Sequence, residues 1–507
     1  MKLEHLQPVW ENSFIDKEKT TATLSVCEPI RREAVFTPDM PWEGDIHYIN
    51  VLFDGEKYRM YYITHLTSKD YCAKYDYSDE EIAGNRWLIC YKNSFVCYAE
   101  SFDGINWVRP SLGIFEYKGS RENNIILRAE DIEGKYTTRD NFFVFKDENP
   151  ACPEDERYKA VTFECGRLPD GVESSFREGI SYYASADGIH FRFMRILNVI
   201  HGTFDTLNTC SYDKNSGKYV LYYRGWHNIP EGGPRIKGTR DVKRAESSDF
   251  VNWSDFTCIS FADGRDDPMY TNNIMRYYRN QDILIGFPTR YVERGAWTSN
   301  YDMLTGRSAR LKRMGEGHHP REGLAVTDCL FMCSKDGRSF ERYNEAFMRP
   351  GMENGVNWVY GDCYPAYALL ETLSDDGVNR EMSMLMPNGA THCDPEANPY
   401  DTVYRYTLRR DGFAAYSAGY GGADVVTRKF TVGRGELFIN FSTSAIGCIY
   451  VTLTASDGRV LRSAELFGDS DERRVIFDNG TLEELYGQEV VATFEMKDAR
   501  LYSFGIM

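Results

Sequence analysis

Short runs of alternating apolar and polar residues, closed by turn dipeptides, recur along the first four fifths of the chain. DIHYINVLFDG and EKYRMYYITH come first, then, after a long polar stretch, SFVCYAESFDG and INWVRP. Side chains that alternate with a period of two across Asp-Gly turns predict antiparallel strands joined by hairpins. The scheme returns as DNFFVFKDENP, RYKAVTFECG, GISYYASADG and IHFRFM, and again as FDTLNTCSYDKNSG, KYVLYYRGW, RDVKRAESSDF and VNWSDF. A fourth set reads PMYTNNIMRYYRN, QDILIGFPTRY, VTDCLFMCSKDG and RSFERY, and a fifth GDCYPAYALLETLS, NREMSMLM and TVYRYTLRRDG. No long amphipathic helix interrupts them.

One turn marks the period. Ser-x-Asp-Gly-x-x-aromatic occurs at Ser101–Trp107, Ser185–Phe191 and Ser334–Phe340, with a looser copy at Ser247–Trp253 and a remnant, RRDGF, at Arg409–Phe413. A four-stranded antiparallel unit repeated five times predicts a five-bladed β-propeller over residues 30–420. Residues 1–29 are expected to pack on it as an N-terminal segment. After residue 420 the turn disappears, and KFTVGRGELFINFSTS, CIYVTLTASDGRVLRSAEL, ERRVIFD and EVVATFEMKDARLYSFGIM predict a β-sandwich over 421–507. The fold class is therefore all-β.

Topology then sorts the residues. In a propeller each innermost strand starts at the mouth of the axial funnel, and the second-to-third connection returns there. The third-to-fourth turn lies on the opposite face, so Asp103 is expected to be a turn residue, bonding local backbone while Gly104 supplies a positive φ.

The residues to weigh chemically are those opening each innermost strand. They are Trp42, Glu43 and Asp45 in PWEGD; Arg139 and Asp140; Asp205 and Asn208; Asp267, Tyr270 and Asn272; and Trp358, Tyr360 and Asp362. Carboxylates converging on a funnel beside Trp and Tyr suit glycoside cleavage. One acid protonates the leaving oxygen, a second acts as nucleophile or base, and a third supports charge at the anomeric carbon. Crowding raises one pKa, so acid and base coexist near neutrality. Asp at strand starts is also ordinary turn chemistry, and that is the competing explanation.

Composition narrows the field. Aromatics make up 14% of 507 residues and apolar residues 42%, enough for a large core. A formal charge of −17 argues against nucleic acid as a partner. The start MKLEHLQPVWENSFIDKEK has no apolar run of a secretory signal, and no stretch approaches the ~18 apolar residues of a membrane helix. The 13 cysteines are scattered without a CxxC pair, which predicts a reducing, cytoplasmic setting. Neither a cofactor nor a metal is expected. His318-His319 has no third ligand at motif spacing, and the Asp213 loop lacks the closing Glu of a calcium site, leaving a hairpin turn. P-loop, dinucleotide-binding and nucleophile-elbow motifs are missing. The oligomeric state is not encoded in any of these features.

The chain resembles the five-bladed propeller glycosidases, namely the β-fructosidases of glycoside hydrolase family 32 and the arabinan/xylan furanosidases of family 43. The propeller–sandwich layout covers nearly all of it. The resemblance implies a glycosidase acting on an oligosaccharide or small glycoside, a fructoside or arabinoside among the candidates. The family's Asn-Asp-Pro nucleophile motif is replaced here by Glu43-Gly44-Asp45, leaving either acid in that role. Arg139-Asp140 matches the Arg-Asp-Pro motif, with Asn141 for Pro, and makes Asp140 the transition-state stabiliser. The family's acid lies in a Glu-Cys pair; Glu164-Cys165 is such a pair, whereas Asp205 corresponds by topology, and both stay open. These departures mark a divergent member.

Rival readings are a sialidase, a phosphorylase and a non-catalytic carbohydrate-binding propeller. A sialidase needs three arginines, for which Arg139, Arg224 and Arg290 are the candidates, and a turn one residue longer. Trp42, Arg139, Asn208, Tyr270, Asn272, Arg290, Trp358, Tyr360 and Asp362 are the expected substrate contacts. The basic stretch 289–323 should overhang the funnel as a lid, a subunit contact, an anionic-sugar site or a solvated insertion.

Overall fold

Five sheets, each built on four antiparallel strands, the fourth gaining a fifth strand, Ser260–Phe261, paired parallel with Ser339–Arg342, surround one axis in the computed structural model. It describes residues 1–65, 94–128, 131–132, 135–136, 140–164, 179–197, 204, 206–231, 238–316, 321–355, 357–388 and 401–507. Blade one runs Asp45–Phe53, Tyr58–His65, Ser94–Ser101 and Ile125–Arg128; blade two runs Asp140–Lys146, Tyr158–Glu164, Gly179–Ser185 and Arg192–Ile196. Blade three runs Thr209–Asp213, Lys218–His227, Thr239–Ser247 and Thr257–Cys258, and blade four Met275–Tyr277, Asn280–Gly286, Met332–Ser334 and Ser339–Arg342.

Blade five closes the ring. Its first three strands are Leu370–Leu373, Arg380–Pro387 and Val403–Arg409, but its outermost strand is Ile30–Phe36, paired antiparallel with Val403–Arg409. The two ends of the propeller are thus sealed by hydrogen bonds within one sheet.

A belt of buried asparagines ties neighbouring blades around the axis. Asn50 Oδ1 accepts the Val144 N–H at 2.8 Å, and Asn141 Nδ2 donates to Phe204 O at 2.9 Å. Thr209 Oγ1 donates to Asn272 Oδ1 at 3.0 Å, and Asn273 Nδ2 to Pro365 O at 2.8 Å. Blades five and one are joined by backbone, Tyr367 N–H to Ile49 O at 2.9 Å and Val51 N–H to Tyr367 O at 2.8 Å. Asn141 and Asn273 sit at φ 54° and 42°, a region where asparagine is better tolerated than most side chains.

The Ser-x-Asp turns behave as local scaffolds. Asp103 Oδ1 accepts the Ile105 and Asn106 N–H groups at 2.8 and 2.7 Å, and Ser101 Oγ accepts Gly104 N–H at 2.9 Å. The pattern recurs at Asp187, Asp249 and Asp336. The fifth copy is not RRDGF. It is Ser374–Asn379, where Asp376 Oδ1 accepts the Val378 and Asn379 N–H groups, on the first-to-second hairpin of blade five. Asp411 of RRDGF is instead fully buried, with φ 61°.

Two long antiparallel strands, Leu437–Ala455 and Glu489–Ile506, form the spine of the C-terminal β-sandwich. The first residues of the chain join it: Lys2–Leu3 pairs with Phe430–Val432, Leu6–Pro8 with the spine, and Thr23–Val26 with Ala414–Ala418. From this segment Trp10 inserts into the propeller against Tyr277, Phe331 and Phe413, with centroids 5.2–5.4 Å apart. Among the described residues no helix is long and apolar enough to cross a membrane.

Candidate functional site

The register of blades one and two sets two candidate acids on one rim. Asp45 is the first residue of its innermost strand, paired with His65, and Asp140 is the first of the next, paired with Phe163. Glu164 ends the adjacent strand, paired with Gly179, at the same rim as Asp140. The backbones of these three acids are described and their side chains are not; Arg139 and Asp205 lie outside the described residues.

Glu43 is placed differently from Asp45. Its carboxylate is buried and fully engaged, Oε1 by Arg109 Nε at 2.9 Å and by the Tyr62 hydroxyl, Oε2 by Arg109 Nη2 at 3.0 Å and the Met40 N–H at 3.1 Å. Four donors occupy the roughly four acceptor sites of an ionised carboxylate. Trp42 lies beside it, donating from Nε1 to Asn124 Oδ1 at 2.7 Å and meeting Tyr117 edge-on.

On blades three to five the described rim is aromatic and cationic. Arg224 and Trp226 alternate on the strand Lys218–His227, so they share a face, and Arg240 pairs directly opposite Trp226. The Arg240 guanidinium lies 4.7 Å from the Trp226 centroid, 4.4 Å from Tyr291 and 5.8 Å from Tyr270; that of Arg224 lies 5.6 Å from Tyr270. Tyr270 stacks on Tyr364 at 5.1 Å and meets Tyr360 edge-on at 6.0 Å. Partly exposed aromatic faces of this kind stack on sugar rings, and flanking guanidinium groups donate to hydroxyl or carboxylate oxygens.

Of the expected substrate contacts, the structure brings Tyr270 and Tyr360 together and commits others elsewhere. Asn208 and Asn272 are buried, the former donating to Phe204 O and Thr206 O at 2.8 and 3.0 Å, the latter tied into the inter-blade belt. Arg290 grips Asp328 with Nε and Nη2, at 2.9 and 2.5 Å, and spends Nη1 on Asn344 O. Trp358 sits at φ 63°, with Nε1 bound to Gly351 O at 2.8 Å. Asp362 is buried, which pushes its carboxyl up to about 7 although the Val359 and Trp358 N–H groups and the Arg310 charge oppose the rise. Arg240, Trp226, Tyr291 and Tyr364 were not singled out from sequence; the period-two placement of Arg224 and Trp226 was the available signal.

The basic stretch folds into a ladder, Thr289–Glu293 with Ala325–Cys329, bearing helices Ser299–Met303, Arg307–Glu316 and Arg321–Leu324. It docks rather than dangles. Arg310 is buried and donates to the Trp358 carbonyl, the Tyr301 hydroxyl donates to Leu324 O at 2.6 Å, and Thr305 N–H donates to Glu353 at 3.0 Å. His318 and His319 lie outside the described residues. Asp213 closes a hairpin, Gly217 N–H donating to its carbonyl at 2.8 Å. Among the described residues no group of three His, Cys, Asp or Glu side chains is placed to hold a metal ion.

No family model matches the chain, and no curated protein matches it. Solved structures do. A glycoside hydrolase is similar at 12% identity, over 75% of this chain and 92% of that one, with a TM-score of 0.42. The family-32 β-fructofuranosidase of Bombyx mori is similar at 9% identity over 95% and 94% of the two chains, with a TM-score of 0.37. A family-43 arabinoxylan arabinofuranohydrolase from Bacillus subtilis, in complex with cellotetraose, is similar at 10% identity over 93% and 97%, with a TM-score of 0.29. Glycoside hydrolases, of families 32 and 43 among others, are therefore among the structures this chain is similar to.

Proposed function

We propose that the chain is a glycoside hydrolase acting on an oligosaccharide or small glycoside at the propeller mouth. The observation that supports this is the placement of Asp45 and Asp140 as the first residues of adjacent innermost strands, on the rim where Glu164 also ends its strand. Asp45 is the nucleophile or base, since the acceptor sites of Glu43 are already filled. Asp140 supports positive charge at the anomeric carbon, and Glu164 or Asp205 protonates the leaving oxygen. Tyr270 and Tyr360 form the sugar platform, with Arg224 and Arg240 at its edge. The rival reading is a carbohydrate-binding propeller, favoured by that same aromatic platform.

Product formation decides between them. Fructo-, arabino-, xylo-, manno- and sialo-oligosaccharides are incubated with wild type and with Asp140→Asn, with and without phosphate, and products are read by mass spectrometry and NMR. Cleavage by wild type, reduced about a thousandfold or more in Asp140→Asn, supports the hydrolase, and dependence on phosphate would make it a phosphorylase. Binding of a sugar with equal affinity by both proteins, without turnover, supports the binding module.

A further inference from the structure

The segment leading into Asp45 is held more firmly than the start of a strand requires. It runs from the closing strand Ile30–Phe36 to the innermost strand of blade one, and three neighbouring elements grip it. Arg109, on the outer edge of blade one, donates to both oxygens of Glu43 and to the Thr37 carbonyl, with its guanidinium 4.1 Å from the Phe36 ring centroid. From the same edge the Tyr117 hydroxyl donates to Pro41 O at 2.7 Å. From the second strand, Tyr62 donates to Glu43, and Thr64 Oγ1 accepts the Gly44 N–H at 2.7 Å. From blade five, Asp401 Oδ2 accepts the Ile46 N–H at 3.3 Å.

We infer that the Glu43–Arg109 pair is a positioning device for Asp45, fixing the backbone turn that leads into it; this rests on the reading of Asp45 as the reacting group. Glu43 has no acceptor site left for substrate, water or a shuttled proton, so it acts through the backbone two residues on. A reacting carboxylate displaced by about 1 Å loses on the order of a hundredfold in rate. The Glu43 side chain is fully buried and that of Arg109 is 17% exposed, so removing Arg109 strands the Glu43 charge, and removing either partner releases the turn.

The test uses the full chain as Glu43→Gln, Glu43→Ala, Arg109→Met and Asp45→Asn, with Phe250→Ala as a control destabilised far from the mouth. Hydrogen exchange is read over residues 40–47 by mass spectrometry, and turnover is measured on whichever oligosaccharide of the panel wild type cleaves. The Glu43 and Arg109 variants should exchange at least about tenfold faster at Gly44 and Ile46, while Phe250→Ala should not. Their kcat should fall about 10- to 100-fold with KM within about threefold, both limbs of the pH–rate profile intact and Gln milder than Ala. Unchanged exchange, the same acceleration in Phe250→Ala, or a Glu43→Gln enzyme as silent as Asp45→Asn each overturns the inference. If wild type cleaves nothing, the functional reading falls separately, and the exchange result alone decides whether Glu43 fixes this turn.

Discussion

Asp411 joins three parts of the molecule at one carboxylate, and replacing it tests that junction. Its Oδ1 accepts from the Tyr277 hydroxyl and from Arg279 Nε at 3.1 Å, both on blade four. Its Oδ2 accepts Ser503 Oγ at 2.7 Å and Asn440 Nδ2 at 3.3 Å, both on the sandwich spine, and its carbonyl accepts Trp10 Nε1 at 2.8 Å from the N-terminal segment. Breaking a buried ion pair by removing one partner costs about 3–5 kcal/mol, and each stranded neutral donor adds about 1 kcal/mol, less than additively. Arg279 keeps a second acid, Glu472 at 3.2 Å, which holds the total for Asp411→Ala near about 3–5 kcal/mol. The backbone at φ 61° distinguishes this from a simple side-chain loss. Ala is more strained there than Asp, whereas Gly is not strained, so Asp411→Gly should be milder than Asp411→Ala by about 1 kcal/mol. Urea denaturation followed by tryptophan fluorescence and far-UV circular dichroism measures both. An Asp411→Ala protein within 1 kcal/mol of wild type, or a Gly variant no better than Ala, would refute the junction as drawn.

Asp362 gives a pH signature. With its folded carboxyl raised to about 7 and an ordinary value near 3.8 when unfolded, folding takes up a proton between those values. Wild-type stability should fall as pH rises from about 4 to about 7 and then level off, by on the order of 4 kcal/mol in all. Asp362→Asn should lack that slope, so the melting-temperature difference between the two grows from pH 4 to pH 8; a pH-independent difference would sink the idea. Phe250 occupies the glycine position of its turn at φ 64°, with its ring 4.6 Å from Tyr182, 4.9 Å from Tyr219 and 5.6 Å from Trp253. Phe250→Gly trades about 3–5 kcal/mol of core packing for about 1 kcal/mol of backbone relief, leaving a net loss of about 2–4 kcal/mol in chemical denaturation. A neutral outcome would mean that the turn, not the ring, governs the site.

Strand order within each blade was legible because period-two alternation and the Ser-x-Asp turns are local signals, and both survive in the structure. What escaped the reading is non-local or concealed by shared composition. Ile30–Phe36 pairs with a strand more than three hundred residues away, so no neighbouring pattern could assign it to blade five. RRDGF and Ser374–Asn379 both contain Asp-Gly, but only the second carries the Ser that caps the turn. The helices of the basic stretch are short and docked through Arg310 and Tyr301, contacts no periodicity announces. At the candidate site, six carboxylates looked alike at strand starts. Hydrogen bonds set two of them apart: Glu43 is saturated by Arg109, Tyr62 and the Met40 N–H, and Asp362 accepts the Val359 N–H, while Asp45 and Asp140 open their strands.

The closing strand has a consequence for how the chain is made. Residues 30–36 leave the ribosome about 370 residues before their partners at 403–409, a wait of roughly 20–70 s at 5–20 residues per second. Through that interval four blades can form while the ring stays open, with one apolar edge and the Trp10 segment uncovered. Synthesis therefore passes through an incomplete ring that persists for that interval. A circular permutant that places residues 1–36 after residue 507 would shorten the wait and should fold in higher yield during translation, with its final architecture unchanged.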